Sequence, residues 1–154
     1  CYNGLWRVNR SGRFNVPMGR YEHPGVLDAE RLQAASSLLA RTVLLAASFE
    51  HVLDEAEPGD FVYLDPPYVP VSATANFSSY TKDAFGPVEQ RRLAHVFRAL
   101  DDRGCAVLLS NSDTPVVHEL YAGYKIERVL CARAINSKPE ARGPVAEVIV
   151  RNRF

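Results

Sequence analysis

Two consecutive prolines, Pro66 and Pro67, stop any regular element that reaches them, because each fixes its own φ and neither carries an N–H. What reaches them is a four-residue apolar run, Phe61-Val62-Tyr63-Leu64. It is too short for a helix and reads as a buried strand of the parallel type. Asp65-Pro66-Pro67-Tyr68 therefore lies where the carboxyl end of a strand opens into a loop, the place where open α/β sheets put their ligands. A fixed tetrapeptide arises by chance in roughly one chain of this length in a thousand, before the preceding strand is required.

The flanking sequence supplies the rest of such a sheet. Residues 2–21 mix turn signals with short β-like pieces, Ser11-Gly12 being the expected hairpin tip, and Pro24-Gly25 closes the segment. Asp28 caps an expected helix to about residue 41, with Leu32, Ala35 and Leu39 on one face. Residues 42–47 read as a short apolar strand, and Ser48 as the cap of a second helix ending before Pro58-Gly59. After the tetrapeptide, residues 69–86 form a long polar loop. Pro87 opens a third helix whose apolar stripe is Leu93, Val96, Phe97 and Leu100, with Gly104 as its stop. A strand over 106–109 follows, then Thr114-Pro115 opening a helix to Tyr121, with strands over 125–134 and 145–151 at the end. The alternation predicts a doubly wound, Rossmann-like α/β sheet closed by an antiparallel pair.

At 154 residues the chain is expected to be one ordinary domain. It has no apolar run of eighteen residues, so no membrane span is expected. Cys1, Cys105 and Cys131 lack a CxxC spacing, which argues against a disulfide framework or zinc site and makes a reducing cytoplasm the expected setting. His23, His51, His95 and His118 share no ligand spacing, and no metal is implied. The formal net charge is zero, yet Arg7, Arg10, Arg13 and Arg20 face one acid, Glu22, within residues 1–23. Basic ends cancel an acidic waist, which is compatible with a local phosphate-binding face or with ordinary solvated charge.

The chemistry available to Asp65-Pro66-Pro67-Tyr68 is specific. An exocyclic amine on a nucleobase is a poor nucleophile because its lone pair is delocalised into the ring. Two acceptors that each take one N–H draw the nitrogen toward tetrahedral geometry and free that pair. Asp65 offers a carboxylate and Pro66 a carbonyl, which Pro67 holds in one orientation. Tyr68 offers an aromatic face on which a flat base can stack. This is positioning and electrostatic preorganisation. The plainer reading is an Asx turn with Tyr68 in the core, which accounts for Asp-Pro but not for the full combination.

The tetrapeptide resembles the catalytic motif of amino-group DNA methyltransferases. Four further stretches resemble the Dam-type (D12 class) adenine-N6 methyltransferases, which act on GATC sites. They are Asn3-Gly4-Leu5-Trp6-Arg7-Val8-Asn9, Phe14-Asn15-Val16-Pro17-Met18-Gly19-Arg20-Tyr21, Thr74-Ala75-Asn76-Phe77 and Leu109-Ser110-Asn111-Ser112-Asp113-Thr114. The resemblance implies S-adenosylmethionine as methyl donor and double-stranded DNA as partner, in a bacterial nucleoid or phage-infected cell. It implies a target-recognition hairpin over residues 1–25 and the C-terminal part of a catalytic domain over 26–154. Asp65, Pro66 and Tyr68 are then catalytic, and Asp65 neighbours the cofactor. Ser48 and Phe49 follow an expected strand end and are candidates to touch the cofactor adenine, with core packing the plainer role for Phe49. Arg7 becomes the chief guanine reader, with Tyr2, Asn3, Leu5, Pro17, Arg20 and Tyr21 also at the bases. Asn76 and Tyr80, with Ser78, Ser79 and Lys82, either hold the flipped nucleotide or belong to a polar surface loop. Ser110, Asn111 and Ser112 either line the same cleft or form a turn, and Arg133, Asn136, Lys138 and Arg142 are candidate backbone contacts or solvated charges.

Two strands of the family fold and its glycine-rich cofactor loop have no counterpart here, and the chain begins at Cys1 rather than methionine. The expectation is that it starts inside a larger enzyme, whose N-terminal part is its missing partner. Alone it is expected to be poorly soluble or domain-swapped, and catalytically inactive. The alternatives left by the sequence are cytosine N4 or an RNA base as the methylated amine, or a DNA-binding fragment without catalysis.

Overall fold

The structure is a computed structural model, which describes residues 8–9, 11–16, 22, 27–71, 85–132 and 144–153. The chain divides into two compact units, Cys1–Ala47 and Ser48–Phe154.

In the first unit, Val8 and Phe14 form an antiparallel bridge around a tight turn. Asn9 makes that turn: its Oδ1 accepts from the backbone N–H of Ser11 and of Arg13, while Gly12 takes φ 72°. The Ser11-Gly12 tip is where the sequence puts it. Helix α1 spans Ala29–Leu39 and is capped as expected by Asp28, which accepts from the Arg31 N–H. Its apolar stripe is not buried, since Leu32 and Leu39 are exposed. The expected strand over residues 42–47 is absent: Val43, Leu44 and Leu45 are 82, 68 and 61 % exposed and belong to no sheet. A short apolar run has strand propensity but makes no hydrogen bonds of its own, so without a partner edge it stays unpaired.

The second unit opens with a 3₁₀ turn, Phe49–His51, and a single turn of helix, α2, Val52–Glu55. Ser48 precedes them without capping. Its hydroxyl donates to Glu50 Oε2 at 3.1 Å, a charged acceptor that outcompetes the cap geometry. Strand β1 is Phe61–Leu64, helix α3 Pro87–Arg103, strand β2 Ala106–Ser112 and helix α4 Pro115–Leu120. Strands β3, Lys125–Ala132, and β4, Pro144–Arg151, complete a four-stranded sheet in the order β1-β2-β4-β3. The β1–β2 pair is parallel, and the other two pairs are antiparallel. This is the closing antiparallel pair that the sequence predicts.

Helix α3 follows its sequence signals. Pro87 starts it, Gly104 ends it at φ 92°, and Leu93, Val96, Phe97 and Leu100 are all buried. They form one core with Val107 and Leu109 of β2, Val148 and Val150 of β4, and Val117 and Tyr121 at α4. Phe97 packs edge-to-face on Tyr121 and Tyr124, at ring separations of 5.3 and 4.7 Å. Helix α4 is capped by Thr114, which accepts from the Val117 N–H.

One expectation about β1 needs correction. The strand is parallel, as predicted, but only one of its faces is covered. Leu64 turns into the core, whereas Phe61 and Tyr63 are 61 and 51 % exposed. β1 is an edge of the sheet among the described residues.

Candidate active site

Parallel register sets the first feature of the site. Leu64 of β1 stands opposite Leu109 of β2, so the next residues along, Asp65 and Ser110, are neighbours at the carboxyl ends of the two strands. Ser110 Oγ donates to Asp65 Oδ1 at 2.8 Å. Tyr63 Oη lies 2.9 Å from the same Ser110 oxygen. The serine hydroxyl has one proton and gives it to the carboxylate, so the tyrosine donates to the serine. The chain of donors runs Tyr63 to Ser110 to Asp65. Ser110 is buried while Asp65 is exposed, so a buried group holds an exposed one. The Asx-turn reading of Asp65 does not hold, since the next two residues are prolines and neither can donate to the side chain.

The loop after Asp65 is pinned from behind. Asn111 Oδ1 accepts from the backbone N–H of Val69 and of Ser112, both at 2.9 Å. Those two donors fix which end of the amide is oxygen, so Nδ2 must donate, and it does so to Gln90 Oε1 at 3.2 Å. Gln90 is thereby oriented in turn, and its Nε2 donates to the Pro67 carbonyl at 2.8 Å. Asn111 is fully buried and Gln90 is 3 % exposed. A satisfied polar network in so dry a place rigidifies what it touches. The Pro66 carbonyl, between these anchors, accepts from no described residue.

A cavity of ≈ 420 Å³ opens at the end of β1 and takes in Asp65, Pro66, Tyr63, Phe49 and Phe85. Phe49 and Phe85 meet edge-to-face at 5.7 Å, and the Arg92 guanidinium sits 5.6 Å from the Phe49 ring centre. Arg92 is held there by a two-pronged pair with Glu50, whose carboxyl is kept below its usual range chiefly by the Arg92 hydrogen bond. Ser48, bonded to Glu50, does not line this cavity. Tyr68 is half-buried. Desolvation pushes its phenol pKa up, and Glu147, Asp65 and Tyr63 add to the rise against an opposing interaction with the Ser110 hydroxyl. It is a neutral phenol at physiological pH.

The structure therefore brings Asp65, Pro66 and Phe49 to one cavity, with Tyr68 beside Ser110. Ser110, Asn111 and Ser112 belong to strand β2 rather than to a turn. Tyr2, Asn3, Leu5, Arg7, Pro17, Arg20, Tyr21, Asn76 and Tyr80 lie outside the described residues, as do Ser78, Ser79, Lys82, Arg133, Asn136, Lys138 and Arg142. Gln90 was not singled out from the sequence. Its signal is a polar residue in the i, i+3, i+7 register of an otherwise apolar stripe, ahead of Leu93 and Phe97, where only a partnered side chain is tolerated. Among the described residues, no three His, Cys, Asp or Glu side chains gather as metal ligands would.

Asp65 and Pro66, whose carbonyl accepts from no described residue, thus share one cavity at the carboxyl end of a parallel strand. The family model for D12 class N6 adenine-specific DNA methyltransferases matches residues 1–135, and the chain belongs to this family. It is 42 % identical over 153 residues to the type II methyltransferase M1.LlaDCHI of Lactococcus lactis subsp. cremoris, covering 98 % of this chain and 54 % of that protein. It is 43 % identical over 154 residues to the type II methyltransferase M.MjaIII of Methanocaldococcus jannaschii, covering 99 % and 53 %. The DNA adenine methylase of Escherichia coli strain K12 is 38 % identical over 148 residues, covering 96 % and 53 %. The chain thus spans about half the length of these curated relatives.

Proposed function

We propose that this chain carries the methyl-accepting half of the active site of a DNA adenine-N6 methyltransferase with GATC as its target. The observation that carries the reading is the placement of Asp65 and Pro66 on one cavity, with the Pro66 carbonyl free of described donors and the loop behind it anchored. Asp65 Oδ2 and the Pro66 oxygen each accept one N–H of the flipped adenine's amine, which localises the nitrogen lone pair. Tyr68, neutral and half-buried, stacks on the purine. The extra proton leaves the amine after transfer, with Asp65 the nearest base.

S-adenosylmethionine supplies an electrophilic methyl group. The residues present suit such a molecule: Phe49 and Phe85 offer apolar walls for an adenine ring, and Asp65 an anion for an amino group. Ser48 and Phe49 belong to the cofactor side in this reading. Residues 1–25 form the target-recognition hairpin and 26–154 the catalytic part. Tyr2, Asn3, Leu5, Arg7, Pro17, Arg20 and Tyr21, with Asn76 and Tyr80, contact DNA. The sheet is part of a Rossmann-like methyltransferase fold, acting in the cytoplasm. Its remaining strands, from the N-terminal part of the same enzyme, cover the open edge of β1, a reading supported by the exposure of Phe61 and Tyr63.

The test uses the full open reading frame that contains this chain. After incubation with S-adenosylmethionine and duplex DNA, mass spectrometry of the nucleosides should find N6-methyladenine, confined to GATC. Asp65→Ala should abolish it while DNA binding persists. N4-methylcytosine as the product, or near-normal methylation by the variant, would refute the assignment.

A further inference from the structure

We infer that Ser110 is a positioning residue for Asp65, and that it occupies one carboxylate oxygen so that the other alone meets the amine. The inference rests on the reading of Asp65 as acceptor and adds what fixes it. An exposed aspartate samples several χ1 and χ2 wells, and its two oxygens are interchangeable. The common local remedy, an N–H from the following backbone, does not exist here, because residues 66 and 67 are both proline. The donor must come from another strand, and Ser110 is that donor at 2.8 Å.

Ser110 is suited to the task by where it is rooted. It belongs to an interior strand, paired with β1 on one side and facing Ile149 of β4 on the other. It is 3 % exposed, so its backbone and rotamer are set by the sheet rather than by solvent. Tyr63 of β1, two residues before Asp65, donates to the serine oxygen and so fixes the hydroxyl rotor. No described residue donates to Oδ2. Among the described residues the carboxylate is thus held at one oxygen only, the arrangement needed to accept a single N–H from a fixed direction at the other.

The experiment compares wild type, Ser110→Ala, Ser110→Thr and Asp65→Asn, and the Asp65→Asn/Ser110→Ala double variant, in the full open reading frame. Single-turnover methyl transfer should fall about 10- to 100-fold in Ser110→Ala, the worth of one hydrogen bond to a charged group, with DNA and S-adenosylmethionine affinities within about twofold of wild type. Ser110→Thr, which keeps the hydroxyl, should recover most of that rate. In the Asp65→Asn background, Ser110→Ala should change the remaining rate by less than about threefold, because the orientation that Ser110 sets matters to the amine only while the side chain is a carboxylate. Three-bond NMR couplings of Asp65 should report one χ1 rotamer in wild type and an average in Ser110→Ala. Unchanged couplings, an already averaged wild-type χ1, or equal losses in both backgrounds would overturn the inference. If Asp65→Asn itself leaves transfer intact, the acceptor reading fails. If Asp65→Asn is inactive while Ser110→Ala is silent, only the positioning role fails.

Discussion

Replacing Asn111 by alanine should destabilise the protein by about 3 kcal/mol, and the structure says where the cost falls. The wild-type side chain satisfies three partners: the N–H groups of Val69 and Ser112, and Gln90 Oε1. Each buried group left without a partner costs about 1–3 kcal/mol, so a simple sum lies between about 3 and 9 kcal/mol. The sum overstates the loss. Val69 is only half-buried, so water reaches its N–H, and Gln90 can reorient once its neighbour is gone. The low end is the better value, and it is a large share of the ~5–15 kcal/mol by which domains are stable. With a urea m-value of about 2 kcal/mol/M, the unfolding midpoint should drop by about 1.5 M. Amide exchange at Val69 supplies a local readout. It should accelerate well beyond that of Val107, whose N–H is held by Asn152 in another part of the sheet. A midpoint shift below about 0.5 M, or unchanged exchange at Val69, would refute the claim that Asn111 anchors the loop.

Two further outcomes follow from residues away from the site. Asp101 ties the end of α3 to the chain's last strand: its Oδ1 accepts from Asn152 Nδ2 at 2.7 Å and from Arg153 Nε at 3.1 Å. Burial pushes its pKa up, but hydrogen bonds from Asn152, Tyr124 and Arg153 outweigh this and leave it below the ordinary value. Its contribution is therefore complete above the unfolded pKa, ~4, and is lost as pH falls through the lower folded value. In urea titrations the stability gap between wild type and Asp101→Asn should be constant near neutrality and shrink below pH ~4; a gap that widens on acidification contradicts the assignment. Gly104→Ala should cost about 1 kcal/mol in the same assay, because φ is 92° while the new Cβ would only touch Pro58 at an ordinary 3.7 Å. A cost above about 3 kcal/mol would mean that packing, not backbone strain, decides that position.

What the sequence disclosed is what local chemistry determines. Pro87, the stripe from Leu93 to Leu100 and Gly104 define α3 because start, period and stop all agree. Asp28 and Thr114 cap helices by a bond within their own turn, which neighbouring residues suffice to specify. Residues 42–47 show the opposite case. Val43, Leu44 and Leu45 have the composition of a strand, but pairing is decided by whatever edge lies beside them. The site divides along the same line. The position of Asp65 and Pro66 at the end of a strand is legible because two prolines have consequences within a few residues. Ser110 and Asn111 are legible as candidates for the cleft but their partners are not, and Gln90 is not legible at all, because the contacts span long separations: Gln90 to Pro67, Asn111 to Val69, Ser110 to Asp65. Only the folded chain brings each one to its partner.

In the proposed function the Asp65 carboxylate, alongside the Pro66 carbonyl, activates an amine for methylation. The most direct measurement is the single-turnover rate of Asp65→Asn in the full open reading frame, with DNA affinity determined on the same samples. Asparagine keeps the shape of the side chain and removes its charge, so a fall of about 10²–10³-fold in transfer with affinity unchanged is expected. A rate within tenfold of wild type would show that the carboxylate does not carry the reaction.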